Sequence, residues 1–177
     1  SRMVWVDLED PTDEETGVLG GIFGFHVLAV EDCMQGDHLP KINLYDGYHF
    51  LIVHAVDFSR GDDAFGTLRV GIFIGENYLV THHNKKIKGI FDTRGQVAKN
   101  PGSLLRSPDW LLHGILNTVI DNYKPILQRL GEKIETLEKG LLDSPKEGHL
   151  NDLLRLRREI FHLRRIGGPH EEILQRI

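Results

Sequence analysis

The sequence changes character near residue 85, and this change constrains the fold more than any other feature. Up to about residue 84, short runs typical of β-strands alternate with turns. From about residue 87 onward, apolar residues recur at steps of three and four, which is the spacing of one apolar face of a helix. Since nothing between the two parts resembles a linker, we predict an α/β part that leads directly into long helices.

Two short helices are expected early in the chain, after a first strand at residues 5–8. The stretch that starts at Asp10 supplies a cap, an early proline and an acidic first turn, and its helix should reach about Phe23. A second short helix is predicted over residues 28–34 and should be closed by Gly36.

The remaining runs of the first part predict the sheet. Asp46 and Gly47 form a tight-turn signal between two extended runs. The second of these runs, residues 48–56, is apolar on both alternating faces, as in a strand that helices cover on both sides. Residues 68–75 and 78–83 follow and are spaced as a hairpin. We predict an α/β/α sandwich with a mixed β-sheet.

Long helices make up the second part. A moderate helix is predicted over residues 87–99, followed by a break at residues 100–102. The next helix should start at Ser107 and Pro108, and Pro125 should bend it. Its predicted apolar stripe consists of Leu112, Leu116, Val119, Tyr123, Ile126, Leu130, Ile134, Leu137 and Leu141.

A second long helix completes a hairpin. Ser144, Pro145 and Glu147 have the spacing of a capping box, so this helix should begin there. Its predicted apolar stripe consists of Leu153, Leu156, Ile160 and Leu163. Two long helices joined by a short loop must run antiparallel. Residues 167–169, Gly-Gly-Pro, then predict a hinge and the start of another helix.

Composition excludes several classes of function. The chain has 21 Lys and Arg against 26 Asp and Glu, for a formal net charge of −5, which disfavours a broad electrostatic contact with nucleic acid or anionic lipid. The longest apolar runs, 50–53 and 70–74, are far shorter than the ~20 residues that cross a bilayer. The single cysteine, Cys33, excludes an intrachain disulfide and indicates a reducing compartment.

Ten histidines raise the question of a metal site. His82 and His83 are neighbours on a predicted strand and must point to opposite faces, and so must His49 and His54. A structural or surface role is therefore favoured over a transition-metal site. No glycine-rich loop is placed to bind phosphate, and Cys33 lacks the signature of a nucleophile, so we expect no enzyme activity.

Glu31 and Asp32 are the remaining candidates. Two adjacent carboxylates at the end of a short helix can offer oxygen ligands to Mg²⁺ or Ca²⁺. On composition alone, an exposed acidic pair without a ligand is favoured.

Seven stretches stand out together: WVDLEDPTDEE, FGFHVLAVED, LPKINLYDGYHFLIV, NYLVTHH, PDWLLHGILNTVIDNY, LEKGLL and LRREIFHLRRIGGPHEEI. In order and spacing they resemble the cytoplasmic N-terminal domain of CorA-type magnesium transporters, and the resemblance covers residues 5–177. It implies an α/β/α sandwich, a long antiparallel helix pair and a stalk helix that leads to two membrane spans. The chain would then divide into 1–105, the α/β part; 106–166, the helical hairpin; and 167–177, the start of the stalk. Both ends are expected to be cut points in a longer protein.

The resemblance also implies a regulatory role. In the family, Mg²⁺ bound between neighbouring cytoplasmic domains holds a channel closed, and an acidic pair that corresponds to Glu31 and Asp32 supplies ligands. These two residues would form half of a site for a regulatory divalent cation. Asn117 stands where the family has a further acidic residue, and its amide can offer an oxygen with one charge fewer. The transported ion would be Mg²⁺, with Co²⁺ and Ni²⁺ as further candidates.

The implied partner is the same chain. The full-length protein would be a homopentamer in the inner or plasma membrane, with this domain in the cytoplasm and attached only through spans beyond residue 177. The fragment alone would be a monomer or weak oligomer, and no nucleic acid is expected to bind. Three alternatives stay open: the cytoplasmic domain of a zinc-transporting relative, a soluble module that docks through its helical hairpin, and a metal-dependent hydrolase with converging histidine and carboxylate ligands.

Overall fold

The computed structural model describes residues 3–35, 37–60, 65–144 and 147–177. The strands are β1 (Val4–Glu9), β2 (Lys41–Tyr45), β3 (Tyr48–Val56), β4 (Thr67–Gly75) and β5 (Tyr78–His83). The helices are α1 (Asp13–Thr16), α2 (Val18–Gly21), α3 (Val27–Met34), α4 (Lys88–Lys99), α5 (Pro101–Leu104), α6 (Pro108–Asp121), α7 (Lys124–Asp143) and α8 (Glu147–Leu174), with a 3₁₀ turn at Phe58–Arg60.

The strands form one mixed sheet in the order β1-β5-β4-β3-β2. β1 runs parallel to β5, and the other pairs are antiparallel. The predicted turn between β2 and β3 is present, and Gly47 adopts a φ of 79°, which favours glycine over residues with a side chain. The mixed sheet predicted from the sequence is confirmed.

Each face of the sheet packs against helices. On one face, α2 and α3 cover an aromatic-rich core that includes Phe25, Phe50 and Phe73. On the other face, α4 and α6 cover an aliphatic core that includes Leu51 and Ile72. β3 is buried on both sides, as its apolar pattern predicts, and the α/β/α sandwich is confirmed.

The first predicted helix is wrong in its start and its length. Asp10 has a φ of 49° and does not cap it; Thr12 does, in a capping box with Glu15. The helix then ends at Gly17, and α2 forms a separate short turn. A glycine inside a short helix costs about 0.5–1 kcal/mol of conformational entropy, and two further glycines follow in α2. Gly36, which should close α3, lies outside the described residues.

The helical hairpin is antiparallel, as predicted. Lys133 Nζ lies 3.4 Å from Glu159 Oε1, and Tyr123 packs edge-on against His170, so residue numbers rise on one helix as they fall on the other. Pro125 does more than bend the first helix, because α6 ends at Asp121 and α7 begins at Lys124. Pro145 and Lys146 of the predicted capping box lie outside the described residues.

The apolar stripe of α8 differs from the predicted one. Leu153 and Ile160 are 46% and 42% exposed, whereas Leu156 is buried and Leu163 packs beside it. The buried positions continue along the helix at Ile166 and Ile173. Their steps of seven and three residues keep one face of α8 on the protein.

The predicted hinge at residues 167–169 is wrong, because α8 continues through it to Leu174. Pro169 donates no backbone hydrogen bond within the helix, which costs about 3 kcal/mol. Buried Ile166 and Ile173 on either side, and a hydrogen bond to His170, hold this part of α8 against the sheet and offset the cost. Residue 166 is therefore not a helix end, and the assignment of 167–177 to a stalk stays a prediction.

Candidate functional site

The predicted acidic pair lies on the last turn of α3. Ala29 and Cys33, one helical turn apart, are buried against the sheet and fix the orientation of the helix. A Cβ atom on Gly71 of β4 would overlap the Cys33 sulfur, so this glycine lets α3 approach the sheet closely. Glu31 is left exposed, and Asp32 lies at the edge of the helix with its side chain 26% exposed.

Both carboxylate oxygens of Asp32 have a positively charged or protonatable partner. Lys41 Nζ at the start of β2 lies 2.5 Å from Oδ2, and His38 Nε2 lies 3.0 Å from Oδ1. Sequence reasoning named neither partner, although Lys41 belongs to one of the seven stretches that carry the family resemblance. A partly exposed ion pair of this kind contributes about 0–1 kcal/mol, so a divalent cation can displace it at little cost.

Asn117 does not join this pair within one chain. It lies exposed on α6, where its side-chain amide is 3.2 Å from His113 Nδ1. Because α6 and α3 cover opposite faces of the sheet, the sheet separates Asn117 from Asp32. A site that used both would need a second chain.

The strand histidines named from the sequence are divided between the two faces of the sheet. His82 and His83 point to opposite faces of β5. His54 bonds through both ring nitrogens, to Thr67 Oγ1 at 2.9 Å and to the His38 carbonyl at 2.8 Å. Burial lowers the pKa of His54, so it stays neutral.

Cys33 is not a nucleophile. Burial raises the pKa of its thiol to about 12, so the thiolate is absent at neutral pH. The buried thiol is therefore poorly suited to nucleophilic attack.

A cavity of about 580 Å³ opens beside the end of α3. Four basic residues, Arg60, Arg69, Lys85 and Arg158, and two acidic ones, Asp37 and Glu159, line it. The excess of positive charge disfavours a cation inside the cavity. The exposed carboxylate of Glu31 and the partly exposed one of Asp32 are the better candidates for binding Mg²⁺.

Known proteins are similar to this chain over nearly all of its length. Residues 1–177 match the family model described as CorA-like Mg²⁺ transporter protein. The chain belongs to the CorA family. A putative metal ion transporter of Bacillus subtilis, YfjQ, is 33% identical over 98% of this chain and 53% of its own length. The cobalt/magnesium transport protein CorA of Thermotoga maritima is 25% identical over 88% of this chain and 45% of its own length.

Solved CorA structures share the fold. The soluble domain of CorA from Methanocaldococcus jannaschii matches with a TM-score of 0.82 and 26% identity, over 98% of this chain and 69% of that one. The ZntB cytoplasmic domain from Vibrio parahaemolyticus matches with a TM-score of 0.77 at 16% identity, which shows the fold alone. This chain spans about half the length of the curated CorA relatives it matches. The family is one of transporters and not of enzymes.

No helix among the described residues combines the length and the apolar character needed to cross a membrane.

Proposed function

We propose that this chain is the cytoplasmic regulatory domain of a CorA-type channel or transporter, and that Glu31 and Asp32 hold the regulatory Mg²⁺. The observation that carries the proposal is the placement of these carboxylates on the accessible last turn of α3. Mg²⁺ keeps several of its waters and binds proteins through one or two carboxylates. The pair therefore offers half a site.

The other half comes from a neighbouring copy of the chain in a homopentamer. Apolar side chains at the far end of the hairpin support contacts with other protein: Leu142 is 85% exposed and Leu150 59%. A ring of chains that each carry a net charge of −5 repels itself, and cations between the subunits relieve this repulsion.

Gating follows from this electrostatic balance. When Mg²⁺ is plentiful, ions between the subunits favour a closed ring; when it is scarce, the bridges are lost and the ring loosens. A shift from mostly open to mostly closed needs roughly 5 kcal/mol, so weak sites suffice if five copies act together. Transport itself belongs to the membrane part of the full-length protein.

Limited proteolysis of the full-length protein, with and without millimolar Mg²⁺, tests the proposal. We expect Mg²⁺ to slow proteolysis of the wild type but not of the Asp32→Ala variant. Asp46→Asn is the matched control, because Asp46 is exposed in the turn between β2 and β3 and the change also removes one carboxylate. Protection of Asp32→Ala equal to that of the wild type would contradict the proposal. Repeating the measurement with Co²⁺, Ni²⁺ and Zn²⁺ identifies the ion that is sensed and tests the alternative of a zinc-transporting relative.

A further inference from the structure

Three side chains with metal-binding atoms meet on the face of the sheet opposite α3. β1 and β5 are parallel, so their carboxyl ends lie at the same edge. Asp7 and Glu9 are two residues apart and share a face of β1, and Glu9 lies directly opposite His83 of β5. One ligand atom from each of the three lies within 4.8 Å of the others.

The hydrogen bonds of His83 indicate a positive charge at its Nε2. Nδ1 lies 2.7 Å from the Lys85 carbonyl, which only accepts, so Nδ1 carries a hydrogen. Nε2 lies 3.0 Å from Asp7 Oδ1, and an ionised carboxylate also only accepts. A proton or a metal ion must therefore lie between these two atoms. A histidine whose other nitrogen donates to a backbone carbonyl is oriented as metal-binding histidines are.

A hydrogen-bonded chain holds Asp7 in place. The indole N–H of Trp5 donates to Thr81 Oγ1 at 3.1 Å, and the Thr81 hydroxyl donates to Asp7 Oδ1 at 2.6 Å. The side chain of His83 is fully buried and that of Asp7 is 11% exposed. Arg94, 56% exposed, reaches Asp7 Oδ2 at 3.4 Å from the solvent side and can move away. Two ligands are thus pre-positioned.

We propose that Asp7, Glu9 and His83 bind a transition-metal ion such as Co²⁺ or Ni²⁺. The ion takes the place of the Nε2 proton, which is released to solvent, and the exposed Glu9 carboxylate turns in as the third ligand. For metal–ligand bonds of about 2.1 Å, the 3.0 Å between Nε2 and Oδ1 corresponds to an angle of about 90° at the ion. This angle suits an octahedral ion with waters at the remaining positions better than tetrahedral Zn²⁺.

The site differs in chemistry from the carboxylate pair on α3. An imidazole nitrogen favours Co²⁺ and Ni²⁺, whereas Mg²⁺ prefers oxygen ligands. The sheet also separates Asp7 from Asp32, because α3 covers the other face. We therefore expect the two sites to be occupied independently.

Titration of the chain with Co²⁺ in the presence of millimolar Mg²⁺ tests the proposal, with the bound metal measured by calorimetry and equilibrium dialysis. We expect one Co²⁺ per chain and paramagnetic broadening of the His83 ring signals. Glu9→Gln should weaken binding about tenfold or more, and His83→Gln should abolish it. Glu76→Gln, in the exposed turn between β4 and β5, is the matched control and should bind as the wild type does.

Two outcomes would overturn the proposal. One is no Co²⁺ binding by the wild type under these conditions, and the other is unchanged binding in Glu9→Gln, which removes an exposed ligand and should not disturb folding. Asp32→Asn separates the two proposals. If Asp32→Asn abolishes Co²⁺ binding and Glu9→Gln does not, the site at β1 and β5 is refuted, while the proposed role of Asp32 is unaffected.

Discussion

His170 should make the docking of α8 on the sheet sensitive to acid. β2 begins at Lys41, which pairs with Ile52 of β3. His54 lies two residues further along β3, past the end of this pairing, and its peptide groups bond to the helical hairpin instead. The His54 N–H donates to His170 Nε2 at 3.0 Å, and the Tyr123 hydroxyl donates to the His54 carbonyl at 2.8 Å. Since His170 accepts this bond, a proton on Nε2 breaks it.

The magnitude follows from the pKa of His170. Burial, and then the nearby His54, lower the pKa of His170 from 6.5 to about 4. Between these two pH values the unfolded chain takes up a proton on His170 and the folded chain does not. The contribution of His170 to the free energy of unfolding is therefore fully present above pH 6.5 and is lost as the pH drops towards 4. At pH 5 the loss from this group amounts to about 2 kcal/mol, and the full shift is worth about 3 kcal/mol.

Urea unfolding at pH 7.5 and pH 5.0 measures this effect. His170→Gln should keep an acceptor for the His54 N–H, whereas His170→Phe should cost about 1–3 kcal/mol at pH 7.5 because the donor is left unpaired. Both variants should lose about 2 kcal/mol less than the wild type between the two pH values. The control is His49→Gln, because His49 is an exposed histidine on β3, the strand of His54. This variant should keep the wild-type pH dependence. If the His170 variants also keep it, the reasoning is refuted.

Three further substitutions test the packing and the proposed site. Lys41→Met should strengthen Mg²⁺ binding at Asp32 by about fivefold, whereas Lys41→Arg should not; calorimetry on the assembled full-length protein measures the change. Gly71→Ala should destabilise the fold by about 1–3 kcal/mol in urea unfolding because the new methyl group meets Cys33, and Cys33→Ala in the same chain should restore part of the loss. Pro169→Ala should raise the free energy of unfolding by up to about 3 kcal/mol, and a decrease would show that the proline is not strained in α8.

Local patterns predicted the elements better than their ends. The strands followed from short apolar runs and from the Gly47 turn, because both signals act within a few residues. The split at Gly17 was missed because a capping signal and an acidic turn favoured a longer helix. The hinge at residues 167–169 was predicted from a strong local signal, but burial of Ile166 and Ile173 on the finished fold overrides it.

In the candidate sites, too, local sequence predicted some residues, whereas others depend on the finished fold. Glu31 and Asp32 are adjacent in the sequence, so they could be named before the fold was known. The partners of Asp32 depend on where β2 begins relative to α3, which no local pattern specifies. The contact of Asp7 with His83 depends on the parallel pairing of two strands that lie at opposite ends of the α/β part. Alternation predicted that His82 and His83 point to opposite faces, but not what either side chain meets.

The charges around Asp32 explain why half a site would suit a sensor. Within one chain, Lys41 already compensates the Asp32 carboxylate and His38 contacts its other oxygen, which leaves Glu31 as the exposed negative charge. A divalent cation that displaces Lys41 must break this ion pair, which offsets part of what the cation gains from one chain. Carboxylates of a neighbouring subunit change this balance. Each one attracts the bound ion, and without the ion each one repels the carboxylates of the first subunit. In the proposed ring, Mg²⁺ binding and subunit contact are therefore coupled, and the isolated chain should bind Mg²⁺ more weakly than the assembly does.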